Sequence, residues 1–298
     1  LQQKLSQGDS IIGFRLAILL FLLALFLGIL LLNQSLSLSI DFSAISAYFV
    51  GKSVTNSHAL FGLVGWASLL IISVSFQVIP LFHVAPSFPK TISHYLPSGI
   101  FILVILTVFQ LEAVMPFIIL MHGLFAIILL FVISKRKRKI PDNTIRYWQL
   151  AALTLIVINV FYFIPQTYLP EEIIQNRTML IAAVYIYFYL LAVIQGMLLK
   201  ILPFLSYTHL QQLCLTNFSA MQYIPHMHEF LNKQHGQWLL YLHLITGTVL
   251  FVTIIIPSVY WLLSLLLIIE FSWLLRLMIK TVRLYFLTRN KINSSVNE

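Results

Sequence analysis

Charge is what this chain of 298 residues has least of: only 9% of it is Asp, Glu, Lys or Arg. A soluble globular protein carries nearer a quarter, so an ordinary water-facing surface is excluded. Cysteine is almost missing. Cys214 stands alone, which rules out an intrachain disulfide and leaves the redox compartment unreadable. No Walker loop, GxGxxG or GxSxG sequence occurs, which removes phosphate-cradling loops and the hydrolase nucleophile elbow. Tandem repeats and low-complexity segments are not seen either. The short alternating runs of a membrane β-barrel are absent. The opening LQQKLSQGDS is polar and does not read as a signal sequence.

What is present is hydrocarbon. Sixty per cent of the residues are hydrophobic, and a bilayer core of about 30 Å needs roughly 20 apolar residues in a helix. Eight stretches qualify, at about 11–32, 57–82, 95–111, 113–134, 146–165, 177–202, 237–256 and 258–280. In lipid the backbone must satisfy its own hydrogen bonds, so these are helices. The expected fold is an all-α polytopic transmembrane bundle over residues 1–285, followed by a polar, disordered cytoplasmic tail at 286–298. The net charge of +9 matters by position rather than by sum. With both termini cytoplasmic, sixteen of the eighteen Lys and Arg fall inside, including the run KRKRK at 135–139, and only Lys52 and Arg177 fall outside. The high pI therefore reports the lipid bilayer as partner and excludes nucleic acid.

Polar groups inside such spans need a reason, because an ionisable side chain costs about 2.5–3.5 kcal/mol there on insertion scales. His58 lies at the outer end of the second span, either as an interfacial residue or as a ligand, with Gly62 and Gly65 below it for close approach. His122 lies near mid-depth of the fourth span, as an interhelical hydrogen-bond partner or as a ligand or proton relay. His243 and Glu270 sit at nearly equal distances either side of the turn at Pro257. They are expected to face one another, as a neutral hydrogen-bonded pair, a proton path, or groups supporting a metal ligand. His209, with His226 and His228 of IPHMHEF, offers imidazoles for zinc or copper on the cytoplasmic side. The Tyr run at 185, 187 and 189 reads as packing whose hydroxyls find partners.

The stretch SVSFQVIPLFHVAPSFP (73–89) and the stretch KILPFLSYTHL (200–210) each combine a polar residue, a proline and a histidine at the end of a span. Proline removes a donor and clashes with the preceding turn. Helix breaks are thus expected at Gln77, Pro80 and His83 and again at Pro203, lining a shared inner vestibule. HALFGLVGWASLLIISVSFQVIPLFHVAPSFP and KILPFLSYTHL resemble segments of the NnrS-like family of bacterial membrane proteins, of about twelve spans. That family is distantly related to the catalytic subunit of heme–copper oxidases. The similarity lies at His58, Gly62, Gly65, Trp66, Gln77, Pro80, Pro86, Pro89, Lys200, Pro203, Phe204 and His209, and extends to Pro225 and Met227.

The resemblance implies a multi-pass protein of the cell inner membrane that is the C-terminal two-thirds of a twelve-span chain, with four spans or further membrane subunits as partners. It implies haem or copper as cofactor, with His58 and His122 as ligands, in respiratory or nitric-oxide stress chemistry. The sequence departs from the oxidase pattern: the third span has no His-His pair, and the only His-x-His lies in a loop. Oxygen reduction is therefore not implied. The other readings are a proton-coupled transporter or permease, in which Glu270 and His243 carry the proton, and a structural subunit of a membrane complex.

Overall fold

The computed structural model of the chain describes residues 2–36, 52–137, 139–215 and 218–297. Among them all regular structure is helical. The main helices are α1 (Gln2–Leu36), α2 (residues 52–83), α3 (Lys90–Leu106), α4 (Leu111–Ser134), α5 (Asn143–Phe163), α6 (Glu171–Leu213), α7 (Lys233–Ile255) and α8 (Tyr260–Asn297). Seven helices among the described residues are long and apolar enough to cross a membrane. Helix α3 is apolar but only 17 residues long. It occupies 90–106 rather than the expected 95–111. Pro89 starts it by offering its carbonyl to the Ile92 and Ser93 amides. Thr107 ends it by turning its hydroxyl back onto the Val104 carbonyl.

The chain divides into two compact units. The first comprises residues 1–139 and 155–163, and the second residues 140–154 and 164–298. In the first, α1 packs along α2 with Leu20, Leu69, Ile72, Ile79 and Ile100 fully buried. In the second, Tyr147, Ala192, Leu199, Leu239, Leu240, Leu274 and Leu277 form one apolar cluster between α5, α6, α7 and α8. Outward-facing apolar residues such as Ile18, Leu22 and Ile29 on α1 and Ile268, Leu275 and Ile279 on α8 are more than half exposed. That is the surface expected of helices solvated by hydrocarbon rather than water.

Three sequence expectations change. Pro80 does not break α2. The helix passes Gln77 and Pro80 and stops after His83, where Val84 turns left-handed at φ 51°. Pro203 does not break α6, which continues ten residues beyond it to Leu213 and carries His209 on the helix. A proline deletes one i to i−4 bond, and packing on the turns either side holds the helix through it; around Pro203, Leu199, Ser206 and Leu210 are buried. The tail at 286–297 is helical as well, as the end of α8. Glu270, Leu274, Leu277, Thr281, Thr288 and Ile292 are buried at spacings of three, four or seven residues, a single stripe on one helix face. Ile292 packs in a small second core with Leu210, Cys214, Ala220 and Phe230. That stripe is what makes the polar tail a helix.

The spans contain irregularities that no proline causes. Residues Phe61–Ser68 of α2 and Tyr185–Leu191 of α6 are π-helical. In α2 the Leu69 N–H reaches the Val64 carbonyl, and in α6 the Ala192 N–H reaches the Tyr187 carbonyl, each five residues back. Such segments are rare and are frequent at functional sites. Both of these carry a side chain that meets a buried imidazole.

Candidate functional site: a buried carboxylate and imidazole

Glu270 lies ten residues into α8, about 15 Å from its start. Its side chain is fully buried, as is His243 on α7. Equal depth brings the two together, with His243 Nδ1 at 2.7 Å from Glu270 Oε1. Two further groups complete the carboxylate. Gln195 donates its Nε2–H to Oε1 at 2.5 Å, and the Tyr187 hydroxyl donates to Oε2. The Tyr147 hydroxyl donates to Gln195 Oε1 at 3.2 Å, which fixes the amide with its NH₂ toward Glu270. Every neighbour of the carboxylate can donate, and both of its oxygens are hydrogen-bonded.

Four helices supply this cluster, all within the second unit. The π segment of α6 supplies Tyr187 and Phe188, consecutive residues that both reach His243. Tyr187 stacks on the imidazole with ring centroids 4.3 Å apart and planes 10° apart, and Phe188 meets it edge-on at 5.8 Å. Tyr147 closes a third side at 5.9 Å. Helices α5 and α6 approach closely because Gly196 lies against the Tyr147 side chain; a Cβ there would fall 2.6 Å from Tyr147 Cβ. The Thr144 hydroxyl donates to the Gly196 carbonyl at this crossing. About one turn further along α6, Lys200 pairs with Asp142 at 2.8 Å. Asp142 also caps α5 by accepting the Thr144 N–H.

The first unit holds a different arrangement. His122 on α4 donates Nδ1–H to the Ile118 carbonyl at 2.8 Å, since a carbonyl can only accept. Its Nε2 is then an acceptor, and the Ser68 hydroxyl from the π segment of α2 meets it at 2.9 Å. Both ring nitrogens are engaged by protein. His58 donates Nδ1–H to the Ala24 carbonyl of α1 at 2.9 Å. Ten residues separate His58 from Ser68, roughly 15 Å along α2. Metal–nitrogen bonds of about 2 Å put two ligands of one ion within about 4 Å of each other. His58 and His122 do not fit the pair of haem or copper ligands that the resemblance implies.

Nor do the remaining histidines come together as a ligand set. His209 Nδ1 is hydrogen-bonded to the Tyr285 hydroxyl at 2.8 Å. His226 and His228 stack on one another with centroids 5.5 Å apart. Glu229 is turned back to accept the His226 N–H. Among the described residues, no group of three or more His, Cys, Asp or Glu side chains is placed to hold a metal ion. His83, expected beside a helix break, is buried at the end of α2.

Sequence reading paired His243 with Glu270 but missed Tyr187, Gln195 and Tyr147. A signal existed for one of them. Gln195 is an amide with no charge to balance, within the apolar run LLAVIQGMLL, five residues before a lysine. Tyr187 gives no such signal, because its role depends on a π turn that YIYFYLL does not announce. No family model matches this chain, and neither a curated protein nor a solved structure is similar to it.

Proposed function

We propose that this is a proton-coupled membrane transporter in which Glu270 and His243 bind and release the proton. The supporting observation is the completed environment of Glu270: a fully buried carboxylate on an apolar helix, held by an imidazole, an amide and a phenol. A carboxylate this deep is expensive, and such residues in membrane segments mark proton and substrate paths. The topology belonging to this reading is eight spans, α3 included, with both termini on the cytoplasmic side of a bacterial inner membrane. The Lys200–Asp142 pair then sits near the inner surface and the cluster about 8 Å deeper.

The hydrogen-bond network accommodates both states of the carboxylate. When Glu270 is ionised, Gln195 donates to it and accepts from Tyr147. When Glu270 takes a proton, a half-turn of the Gln195 amide presents Oε1 to the new O–H, and the freed NH₂ donates to the Tyr147 oxygen. The carboxyl keeps its partners in both states, and only the Tyr147 hydroxyl hydrogen gives up its acceptor when the amide turns.

Proteoliposomes test the reading. Gradients of small anions, small cations and neutral solutes are imposed in turn, with a lumenal pH dye as readout. At least one class is expected to drive protons across the membrane, and Glu270→Gln is expected to reduce that movement to the level of protein-free vesicles. If no class moves protons, or if Glu270→Gln behaves as the wild type, the reading is wrong.

A further inference from the structure

Helix α8 has 38 residues, about 57 Å of helix where a hydrocarbon core of about 30 Å needs roughly 20. Counted from Tyr260, the core ends near Lys280, which puts Arg276 in its last turn. An arginine inside a span ordinarily faces the bundle interior or a water-filled cavity. Arg276 faces outward. Its side chain is exposed, on a different face from the packed stripe of Glu270, Leu274, Leu277 and Thr281. Above it on its own face, Leu265 and Ile269 are exposed as well, a surface suited to hydrocarbon chains.

Neighbouring residues hold the guanidinium in place. It lies over the Trp273 indole, 5.5 Å from the ring centre. The indole Nε1–H donates to the His235 carbonyl of α7 at 3.3 Å, and the His235 ring meets it edge-on at 5.8 Å. His235 is the third residue of α7, so the indole sits where that span meets the headgroups, the usual level of membrane tryptophans. Stacking occupies the flat face of a guanidinium and leaves its N–H edge able to donate. Lys280 and Arg283 follow at spacings of four and three residues, exposed on the same face over about 10 Å. Among the described residues none of the three has an ion-pair partner. Glu270 is the only acid among the described residues of α8, and it is buried. Glu229, on the short helix Met227–Phe230 beside α8, is turned back onto the His226 N–H.

Three cations on a lipid-facing stripe need a counter-charge, and the bilayer supplies one at that level in its phosphates. Arginine grips a phosphate through two parallel N–H bonds, and lysine adds a point charge beside it. A headgroup of net negative charge fits better than a zwitterionic one, whose ammonium would meet the same stripe. We propose that Arg276 and Lys280 bind the phosphate of an anionic phospholipid, with Arg283 at the outer edge of the headgroup and an acyl chain along Ile269 and Leu265. The positive-inside bias asks only for bases beyond the end of a span. It does not ask for a guanidinium docked on an indole that the next helix fixes. The inference needs α8 to cross the membrane, and it is independent of the proton chemistry at Glu270.

The test titrates the full chain in detergent with phosphatidylglycerol or phosphatidylcholine of equal chain length and counts bound lipids by native mass spectrometry. Phosphatidylglycerol is expected to bind the wild type more tightly than phosphatidylcholine. Arg276→Gln is expected to weaken phosphatidylglycerol binding about tenfold, the loss of a charged hydrogen-bonding partner. Lys280→Gln, an exposed position whose loss does not threaten folding, is expected to weaken it about fivefold. Lys291→Gln is the control. It lies on the same face about 16 Å beyond Lys280, more than a screening length at physiological salt, and is expected to bind as the wild type. Equal affinity for the two lipids, or unchanged binding in both Arg276→Gln and Lys280→Gln, overturns the site. A loss in Lys291→Gln as large as in Lys280→Gln also overturns it, because general attraction to positive charge then accounts for the binding. Displacement of the lipid by glycerol phosphate at the same concentration overturns the lipid as ligand in favour of a free phosphate. Glu270→Gln, which tests the transport reading, is expected to bind phosphatidylglycerol as the wild type does, so the two readings fail separately.

Discussion

Each of the two units sets a buried imidazole against a π-helical segment, but only one of them uses up the imidazole. In the first unit the π segment of α2 ends at Ser68, whose hydroxyl meets His122. In the second the π segment of α6 carries Tyr187, which stacks on His243 and holds Glu270. In both helices a proline follows twelve residues after the segment ends: Pro80 after Ser68, and Pro203 after Leu191. The two helices share a plan, and the polar cargo differs. His122 has both nitrogens engaged by a carbonyl and a hydroxyl, which makes a fixed interhelical tie. His243 has one nitrogen on a carboxylate and one without a hydrogen-bond partner among the described residues, which makes a group able to change state. The same irregular geometry thus serves fastening in one unit and chemistry in the other.

The widest separation between the units should be seen in transport. Glu270→Gln removes the ionisable group while keeping nearly the same volume, so proton movement is expected to fall to the protein-free level. His122→Gln, the corresponding loss in the first unit, is expected to leave the proton-to-solute ratio unchanged and to lower stability by about 1–3 kcal/mol, the cost of leaving a buried partner unsatisfied. Vesicle assays and thermal unfolding in detergent read the two effects separately. A His122 variant that stopped proton movement would erase the distinction drawn here.

How much of this was visible in the residues varies by element. The helical, membrane-crossing class and the His243–Glu270 pairing follow from apolar run length and from counting back and forth from Pro257, because rise per residue converts sequence into depth. The helical tail was missed: its polar composition reads as disorder, and the buried stripe from Glu270 to Ile292 that makes it a helix shows only in the packing. The prolines misled, since Pro80 and Pro203 lie inside helices that neighbouring turns hold together. The π segments were not legible. A π turn inserts one residue into the hydrogen-bond register, and no residue type enforces that. Without it, the contacts of Tyr187 and Ser68 cannot be placed.

Helix spacing gives a second, smaller contrast. Gly196 in the second unit backs onto Tyr147 Cβ at 2.6 Å, and Gly123 in the first backs onto the amide end of Asn159 at 2.7 Å. A Cβ at Gly196 meets an atom rigidly tied to the α5 backbone, so the helices must part. At Gly123 it meets the tip of a side chain that can rotate, although Asn159 Nδ2 would then give up the Ile119 carbonyl. Gly196→Ala is expected to cost about 1–3 kcal/mol by overpacking. Gly123→Ala is expected to cost about 1 kcal/mol, a single hydrogen bond. Equal losses in thermal unfolding would show that the α5–α6 contact is looser than drawn.

Single hydroxyl deletions narrow the comparison further. Tyr147→Phe and Ser68→Ala each remove one hydrogen bond, worth about 1 kcal/mol. Only Tyr147→Phe is expected to slow turnover, by about tenfold, because Gln195 then lacks a partner in both of its orientations. Ser68→Ala is expected to alter stability alone. If both slow turnover, the two π-segment sites act together and the division of labour fails.

The smallest effect concerns how α2 ends. Val84 sits at φ 51° and ψ 44°, a left-handed conformation that a β-branched residue adopts at a cost of about 1–2 kcal/mol. What holds it there is on both sides: His83 is buried before it, and its own carbonyl accepts the Lys137 N–H at 3.0 Å, tying the end of α2 to the basic run after α4. Val84→Gly relieves the backbone and loses little packing, since the side chain is about half exposed. It is expected to stabilise the protein by about 1 kcal/mol in thermal unfolding. Because the position lies in the fastening unit, proton movement should be untouched. A Val84→Gly protein that is more stable but transports slowly would mean that the strain at this turn is spent on function, and that the first unit takes part in the cycle.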